Sequence, residues 1–468
     1  MGRFCFSSRK ALASVLVVLL SLSLCGAALA AEKELKIGVL GVMSGPAASW
    51  GLVNRYCAEA SAKMINDKGG FQIGEDTYKI KIVAVDDRND PKVSVSGAER
   101  LIYEEGIRYI IGPNIDPTSM AIVPVIEKGK AISIPYAFSK KLYTAPASNS
   151  ILGMIASYQA GPVIYSYLMK EKGIKSIAFV ARNDSESLNQ RDEGVEAARK
   201  LGLEILAEKD TYEPGTTDFF PVMSSVVGKK PDLLVLSGAA PADTPLLIKT
   251  ARELGFEGIL STETAQDAKV IAELAGDAAN GFISVGGAST PEIRSAYMED
   301  FIKEYEKVAG EWNDEAGTKV YALEIILNTL KQAGPEAIDD VEKFKAAMET
   351  FSMPNPYLKD NRPLHYIGTP YFGQKRQISI PMGFSGYRKY RRIRIFRSSV
   401  VRGKQSIRRL SGTVGCFFYS RRERIAYRRD VLLSRAGKAE MANHRTRRKD
   451  PLPSGSSLRE QSDAGSDR

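Results

Sequence analysis

Short runs rich in β-branched residues alternate with stretches of helical hydrophobic spacing between residues 35 and 287. This alternation predicts parallel sheets covered by helices on both faces. A second series of such units follows the first, so the sequence predicts an α/β fold of two doubly wound parallel-sheet lobes joined by a hinge. The predicted strands are residues 36–42, 80–85, 109–111 and 131–134 in the first series and 177–181, 204–207, 233–236, 258–261 and 282–285 in the second.

Helical spacing in the first lobe predicts helices at residues 52–67, 92–105 and 117–128. Past Gly287 the strand signals fade, and long helical patterns occupy residues 291–308 and 317–332, followed by a shorter one at 341–351. Prolines recur through residues 353–385, which predicts loops and short strands there. Because open parallel sheets bind ligands beyond the carboxyl ends of their strands, the predicted site is the cleft between the lobes.

The N-terminus has the pattern of a secretory signal peptide. Arg3, Arg9 and Lys10 precede an apolar run at residues 11–24, and residues 28–30 supply the small side chains of a cleavage site. The apolar run is short for a membrane span of about 20 residues. We therefore expect residues 1–30 to be removed and the protein to reach the periplasm, with lipidation of Cys25 as an open alternative.

Charge is strongly segregated along the chain. Residues 387–468 carry a net charge of +16, whereas residues 1–386 carry −6. One interpretation of this tail is a basic arm that binds nucleic acid. The other, which the arginine- and serine-rich composition and the lack of periodicity favour, is an out-of-frame and disordered segment that begins after a frame slip near Ser385 or Gly386. Under the second interpretation no nucleic-acid partner is expected.

The sequence offers little chemistry for catalysis. The chain has two histidines, His365 and His444, and neither follows a strand of the core pattern. It contains no dinucleotide fingerprint, no phosphate loop, no nucleophile elbow and no metal-ligand spacing. Cys57 is the one cysteine between the signal and the tail, which excludes a disulfide framework there. We expect a protein that is not an enzyme and that holds no cofactor and no metal.

Several motifs resemble one known family. They are Met-Ser-Gly-Pro-Ala-Ala-Ser-Trp-Gly at 43–51, Asn-Asp-Lys-Gly-Gly at 66–70 and Asp-Asp-Arg-Asn-Asp-Pro at 86–91. With their spacing, they resemble the leucine/isoleucine/valine-binding protein family, and the likeness covers residues 34–385. The resemblance implies a type I periplasmic binding fold that closes on one small-molecule ligand and presents it to the membrane permease subunits of an ABC transporter.

The resemblance also implies where the lobes divide. Family members cross between lobes three times, which would place residues 31–152 and 285–350 in lobe one and residues 153–284 and 351–386 in lobe two. We expect the protein to be a monomer.

The resemblance implies a set of ligand contacts, some of which this chain has changed. The two positions that hold a ligand carboxylate in the family read Asp116 and Phe138 here, next to Asn114, Ile115 and Ala137 in the same two loops. A carboxylate at residue 116 would repel an anionic group unless it is protonated or turned away. As an alternative, Asp116 is a helix N-cap before Pro117.

Further contacts follow from the same resemblance. The acidic contact to a ligand ammonium falls on Thr264 without gaps and on Glu263 after a one-residue shift, and both positions stay open. Trp50, Tyr136 and Phe138 would form an aromatic wall, with core packing as the alternative for each. From lobe two, the loops 183–186 and 238–240 would close over the ligand, with the candidates Asp184, Gly238 and Ala240.

Two functions are therefore expected. The first is the periplasmic substrate-binding protein of an ABC importer for amino acids or amino-acid-like small molecules. The second is a periplasmic ligand-sensing receptor for an amide, an amine or an aromatic acid.

Overall fold

A computed structural model describes residues 33–154, 156–366, 378–379, 383–388 and 391–393. Its strands are β1 Lys33–Gly41, β2 Phe71–Ile73, β3 Asp76–Asp86, β4 Tyr109–Ile111, β5 Ile132–Ile134, β6 Ser176–Arg182, β7 Glu204–Tyr212, β8 Leu233–Ser237, β9 Ile259–Ala265, β10 Ile283–Gly286, β11 Ser352–Pro354, β12 Pro363–Tyr366, β13 Ile378–Ser379, β14 Gly383–Arg388 and β15 Arg391–Ile393. Its helices are α1 Ala48–Asp67, α2 Pro91–Glu99, α3 Asp116–Lys128, α4 Ser157–Lys172, α5 Ser185–Leu201, α6 Phe220–Val227, α7 Asp243–Glu253, α8 Ala268–Ala275, α9 Ala296–Ala309, α10 Ala316–Lys319, α11 Tyr321–Ala333 and α12 Val341–Met348.

The first sheet has the order β2-β3-β1-β4-β5. Its four strands from β3 to β5 are parallel, and β2 pairs antiparallel with β3 at the edge. The chain passes from β1 to β3 on one side and then returns to β4 on the other side of β1. This change of direction places α1 and α2 on opposite faces, so both faces of the sheet are covered.

The second sheet repeats this arrangement in the order β15-β14-β10-β9-β8-β6-β7. The five strands from β6 to β10 are parallel. Strand β6 occupies the position equivalent to β1, because β7 lies on one side of it and β8 on the other. Strand β14 then joins the outer side of β10 antiparallel and carries β15 beyond it.

Local sequence signals explain where several helices begin and end. The Asp90 carboxylate accepts hydrogen bonds from the backbone N–H groups of Lys92 and Val93, and Pro91 fills the first position of α2. Gly173 and Gly202 end α4 and α5 in the left-handed conformation that L side chains avoid. These caps terminate helices at the points where the chain turns back into the next strand.

The core of the first lobe is extended by helices that follow the second sheet's parallel strands along the chain. Residues of α9, α11 and α12 are buried in one apolar cluster with residues of β1, β4 and β5. Phe301 on α9 is fully buried, and its ring packs edge-on against Trp312 at 6.4 Å and Tyr357 at 5.6 Å between ring centroids. The long helical patterns past Gly287 thus complete the lobe that the N-terminal half begins.

The predicted fold class is confirmed, since the predicted strands coincide with strands of the two parallel sheets. Strand β2 was not predicted because its three residues are too few to show a period. Strand β7 runs to Tyr212, past the predicted end at residue 207. There, four consecutive polar residues at 208–211 precede Tyr212, so the sequence shows no apolar run.

The lobe boundaries stay predictions. The chain continues to contribute buried side chains to the first lobe after residue 350, where the predicted boundary lies. Phe351, Tyr357 and Leu364 are buried in the first lobe's core, whereas β14 joins the second sheet. The chain therefore reaches the second sheet after Tyr366.

Some predictions concern residues beyond the described ranges. The signal peptide at 1–30, with Cys25, lies outside the described residues. So does the predicted tail at 387–468, apart from 387–388 and 391–393, whose backbone belongs to β14 and β15. Within the part of the chain that the structure describes, none of the helices has the length and hydropathy needed to span a bilayer.

Replacing Phe301 with alanine is expected to lower the free energy of unfolding by about 3–5 kcal/mol, because it opens a cavity beside Trp312 and Tyr357. Denaturant unfolding followed by circular dichroism measures the loss. Tyr103→Ala is the control, since that ring is 56% exposed and its removal should change stability by less than about 0.5 kcal/mol. Equal losses in the two variants would contradict this packing.

Candidate functional site

The candidate site lies where the strand order of each sheet changes direction. In the first sheet this is the carboxyl end of β1 beside β4, and in the second it is the carboxyl end of β6 beside β8. Neighbouring parallel strands send their following loops apart at such a point, which leaves a crevice. The loops after these four strands carry most of the residues that the sequence singled out.

Trp50 lies in the first turn of α1, directly after the loop that follows β1. Its backbone carbonyl accepts hydrogen bonds from Asn114 Nδ2 at 3.0 Å and from Lys319 Nζ at 3.2 Å. Ile115 packs in the small apolar cluster against which Trp50 rests. Groups from two other elements therefore fix the tryptophan backbone at the mouth of the first sheet.

Lys319 is buried and paired. Its Nζ lies 3.3 Å from Glu315 Oε2 and 5.8 Å from the centre of the Tyr136 ring, and both charged residues are almost inaccessible to solvent. Burial raises the pKa of Glu315, and the nearby ammonium opposes that shift. A buried lysine that donates to a carboxylate and to a carbonyl stabilises the geometry of both partners.

Asp116 occupies the first turn of α3, and its carboxylate turns towards the loop after β5. Its Oδ1 accepts hydrogen bonds from the backbone N–H groups of Phe138 and Ser139, each at 2.8 Å. The residue is only 3% exposed, and burial raises the pKa of its carboxyl group. The predicted N-cap role is replaced by this bond across two loops, because Ile115 is the residue at the N-cap.

Glu186, in the first turn of α5, reaches from the second lobe to the first. Its Oε2 accepts a hydrogen bond from the backbone N–H of Asp116 at 3.1 Å. Burial raises the pKa of Glu186 well above its ordinary value, and the negative charge of Asp116 raises it further. Beside this contact, Lys140 of the first lobe donates to Glu193 of α5.

Arg182, the last residue of β6, makes a second contact between the lobes. Its guanidinium carbon lies 5.7 Å from the centre of the Trp50 ring, and its Nε donates to Asp184 Oδ2 at 2.5 Å. Asp184 also caps α5 by accepting from the backbone N–H of Ser187 at 2.9 Å. We call Trp50, Asp116, Arg182, Asp184 and Glu186 the cleft group.

The loop after β8 closes against the start of α5. Gly238 adopts a positive φ of 64°, and a Cβ there would lie 2.2 Å from Ser187 Oγ. The carbonyl of Ala240, two residues on, accepts from the first N–H groups of α7. Gly238 thus permits a close approach of backbone to α5 that another residue would prevent.

The three predicted wall aromatics lie in three different apolar clusters. Trp50 rests on the cluster at the mouth of β1, Tyr136 lies inside the first lobe's core, and Phe138 packs with Ala137 and Tyr143 behind the loop after β5. The Tyr136 hydroxyl donates to the carbonyl of Lys319 at 3.1 Å, which turns the ring inward. The structure therefore brings only Trp50 of the three into the cleft group.

Glu263 and Thr264 face different surroundings because successive strand residues point to opposite faces of a sheet. Glu263 is buried beneath α4 and α5, where its carboxyl group accepts from the Tyr165 hydroxyl and, at 3.4 Å, from Ser237 Oγ. A Cβ on Gly161 or Gly194 would lie 2.6 or 2.7 Å from Glu263 Oε1. The structure does not bring Glu263 to the cleft group, and Thr264 is partly buried at the end of β9.

Sequence reasoning missed Arg182, Lys319 and Glu315. Arg182 had a usable signal, because it ends an apolar strand at a carboxyl edge, where a charged residue faces the crevice. Lys319 and Glu315 gave no such signal, since their link to Trp50 joins parts of the chain more than 260 residues apart.

The cleft group offers carboxylate acceptors, one guanidinium and an aromatic face. Among the described residues, no group of three potential ligands could hold a metal ion. A surface depression of about 520 Å³ that includes Arg199 and Lys229 lies at the other end of α5, away from this group. The arrangement suits recognition of a small polar molecule with an apolar or aromatic part.

Comparison with known proteins places the chain among related sequences. The family profile described as periplasmic binding protein matches residues 34–374. The chain is 24% identical over 343 residues to the Leu/Ile/Val-binding protein of Escherichia coli K12, covering 71% of this chain and 89% of that protein. It is 25% identical over 240 residues to a Leu/Ile/Val-binding protein of Rhizobium johnstonii, covering 50% of this chain and 64% of that relative.

Solved structures share the fold at lower identity. The branched-chain amino acid transporter substrate binding protein of Streptococcus pneumoniae, in complex with isoleucine, gives a TM-score of 0.66 at 18% identity and covers 78% of this chain and 99% of that one. A solute binding protein of Rhodopseudomonas palustris, in complex with 4-hydroxybenzoate, gives 0.63 at 19% identity and covers 78% and 97%.

Glu263→Gln is expected to stabilise the protein increasingly as the pH rises. Burial raises the pKa of Glu263 from 4.5 to about 8, so the folded state favours the protonated acid. That contribution is fully present below pH 4.5 and is lost as the pH rises to about 8. The variant should match the parent near pH 4.5 and exceed it near pH 8 by a few kcal/mol, about 5 at most.

Denaturant unfolding at the two pH values measures this difference. Glu273→Gln, at an exposed position on α8, is the matched control and should show little change between them. A gain for Glu263→Gln that does not depend on pH would contradict the burial of an ionisable group at this position.

Proposed function

The chain belongs to the periplasmic binding protein family, and we propose that it serves as the substrate-binding protein of an ABC importer for amino acids or amino-acid-like small molecules. The ligand binds between the two lobes, against the cleft group. The observation that carries this proposal is that side chains from the two lobes meet there. Arg182 lies over the Trp50 ring, and Glu186 accepts a hydrogen bond from the backbone N–H of Asp116.

The names of the relatives support the class of ligand. The Escherichia coli and Rhizobium johnstonii relatives are Leu/Ile/Val-binding proteins, and the Streptococcus pneumoniae structure holds isoleucine. The aliphatic side chain of such an amino acid suits packing against the Trp50 ring. The polar side chains around Trp50 suit the charged groups of the ligand.

The remaining parts of the proposal follow from this role. The protein works in the periplasm after removal of its signal peptide, delivers its ligand to membrane permease subunits and acts as a monomer. It catalyses no reaction and binds no nucleic acid. Among the candidates, Asn114, Ile115, Asp116, Asp184, Gly238, Ala240 and Thr264 line or support the cleft, while Tyr136, Ala137, Phe138 and Glu263 support it from inside the lobes.

A second candidate function is a ligand-sensing receptor for an amide, an amine or an aromatic acid. The bonds from Phe138 and Ser139 to Asp116 favour an amide or an amine as its ligand, because these two backbone donors are already used and a ligand carboxylate would have to compete for them. The 4-hydroxybenzoate bound by the Rhodopseudomonas palustris relative shows that the fold also accommodates an aromatic acid. Uptake of labelled ligand by cells with and without the gene separates an importer, which is required for uptake, from a sensor.

Trp50 is expected to report ligand binding directly. The chain has two tryptophans, and Trp312 packs against Tyr305 with 5.0 Å between ring centroids, in the first lobe's core. In a Trp312→Phe protein, a bound ligand should change the emission of Trp50 saturably, and Trp50→Ala should weaken binding at least tenfold, or by about 1.4 kcal/mol.

Titration calorimetry gives the affinities, and a rise in melting temperature with ligand confirms binding to the native state. The matched control is Trp50→Phe, which keeps an aromatic face but should lose the emission change. Full affinity in Trp50→Ala would show that the ligand binds elsewhere.

A further inference from the structure

We infer that the ligand presents a protonated amine, and not a carboxylate, to Asp116 and Glu186. The inference rests on the proposed function, because it assumes a small molecule between the lobes. It narrows the ligand to organic ammonium compounds with an apolar or aromatic body, and it makes a carboxylate on the ligand unnecessary.

The backbone donors at this end of the first lobe already have anionic partners. The N–H groups of Phe138 and Ser139 donate to Asp116 Oδ1, and the N–H of Asp116 donates to Glu186 Oε2. A carboxylate that arrived here would meet two other carboxyl groups and would have to displace one of them. The protein's own side chains thus occupy the place of a ligand anion.

An acceptor at the same place lacks a donor. Asp116 Oδ2 is buried and makes no hydrogen bond to the described residues, although the Asn189 side chain on α5 is near enough to favour the ionised form. A buried acceptor without a partner costs free energy until a donor reaches it. An ammonium group carries three donors and no acceptor, so it suits this oxygen and the neighbouring Glu186.

The charges around the site point the same way. Glu186 is acted on by Asp116 from α3, by Asp184 at the start of its own helix and by Arg182 from β6. Arg182 itself is balanced by Asp184 and by Asp243 of α7. Carboxyl groups therefore outnumber the guanidinium around the site.

The protonation of these acids gives the inference a second signature. Burial raises the pKa values of both Glu186 and Asp116, the charge of Asp116 adds to the shift at Glu186, and the charge of Asp184 adds to the shift at both. An incoming ammonium favours the ionised acids, so an amine should bind with release of protons and more tightly as the pH rises. A carboxylate ligand should instead bind with uptake of protons and more weakly as the pH rises.

The test compares ligands that differ at one end. Isothermal titration calorimetry of the purified protein is carried out with 3-methylbutylamine, leucine and 4-methylpentanoate, and again with 2-phenylethylamine, phenylalanine and 3-phenylpropanoate. We expect one amine to bind at least tenfold more tightly than its matched acid. An acid that binds as tightly as its matched amine overturns the inference and leaves the proposed function standing, whereas a folded protein that binds none of these amines, amino acids and acids overturns both.

Substitutions then assign the contact. Glu186→Gln and Asp116→Asn keep the shape and an acceptor oxygen but remove the charge, so each should weaken amine binding at least tenfold and reduce the proton release. The matched control is Asp192→Asn on the same helix, because that side chain is 67% exposed and pairs with Arg191. Unchanged amine affinity in both charge-removing variants, with the circular dichroism spectrum retained, would overturn the inference.

Discussion

The position of the first strand within each sheet determines where everything else lies. Strand β1 lies between β3 and β4, and strand β6 lies between β7 and β8. The connecting helices on the two sides of each of these strands therefore cover opposite faces of the sheet. Parallel strands place every following loop at one edge, and the change of direction leaves a gap between two of those loops. The cleft group meets at this gap because Trp50 follows β1, Asp116 follows β4, and Arg182 ends β6.

Buried polar groups make the cleft rigid on the side of the first lobe. Lys319 connects the Trp50 carbonyl, the Glu315 carboxylate and, through its own carbonyl, the Tyr136 hydroxyl. These bonds connect α10 with the first turn of α1, which is distant along the chain. The indole is thus positioned by residues that do not themselves face the cleft.

The sequence was sufficient for the sheets and only partly sufficient for the site. Continuous β-branched runs revealed the parallel strands, since strands buried on both faces have no polar alternation to obscure them. The site depends on which face of the sheet each side chain points to. A shift of one residue along a strand moves a side chain to the opposite face. Glu263 shows this, because it lies beneath the helices while its neighbours take the other face.

Strand β14 gives the second sheet a partner from about 100 residues further along the chain than β10. It pairs antiparallel with β10, with Ile283 opposite Gly386 and Gly286 opposite Gly383. Without β14, β10 would be the edge strand of the parallel part of the sheet, and its outer backbone N–H and C=O groups would lose these partners. Exposed rows of that kind are templates for pairing with other chains. A protein in which β14 separated from β10 would therefore expose the edge of β10 to pairing with a second copy of itself.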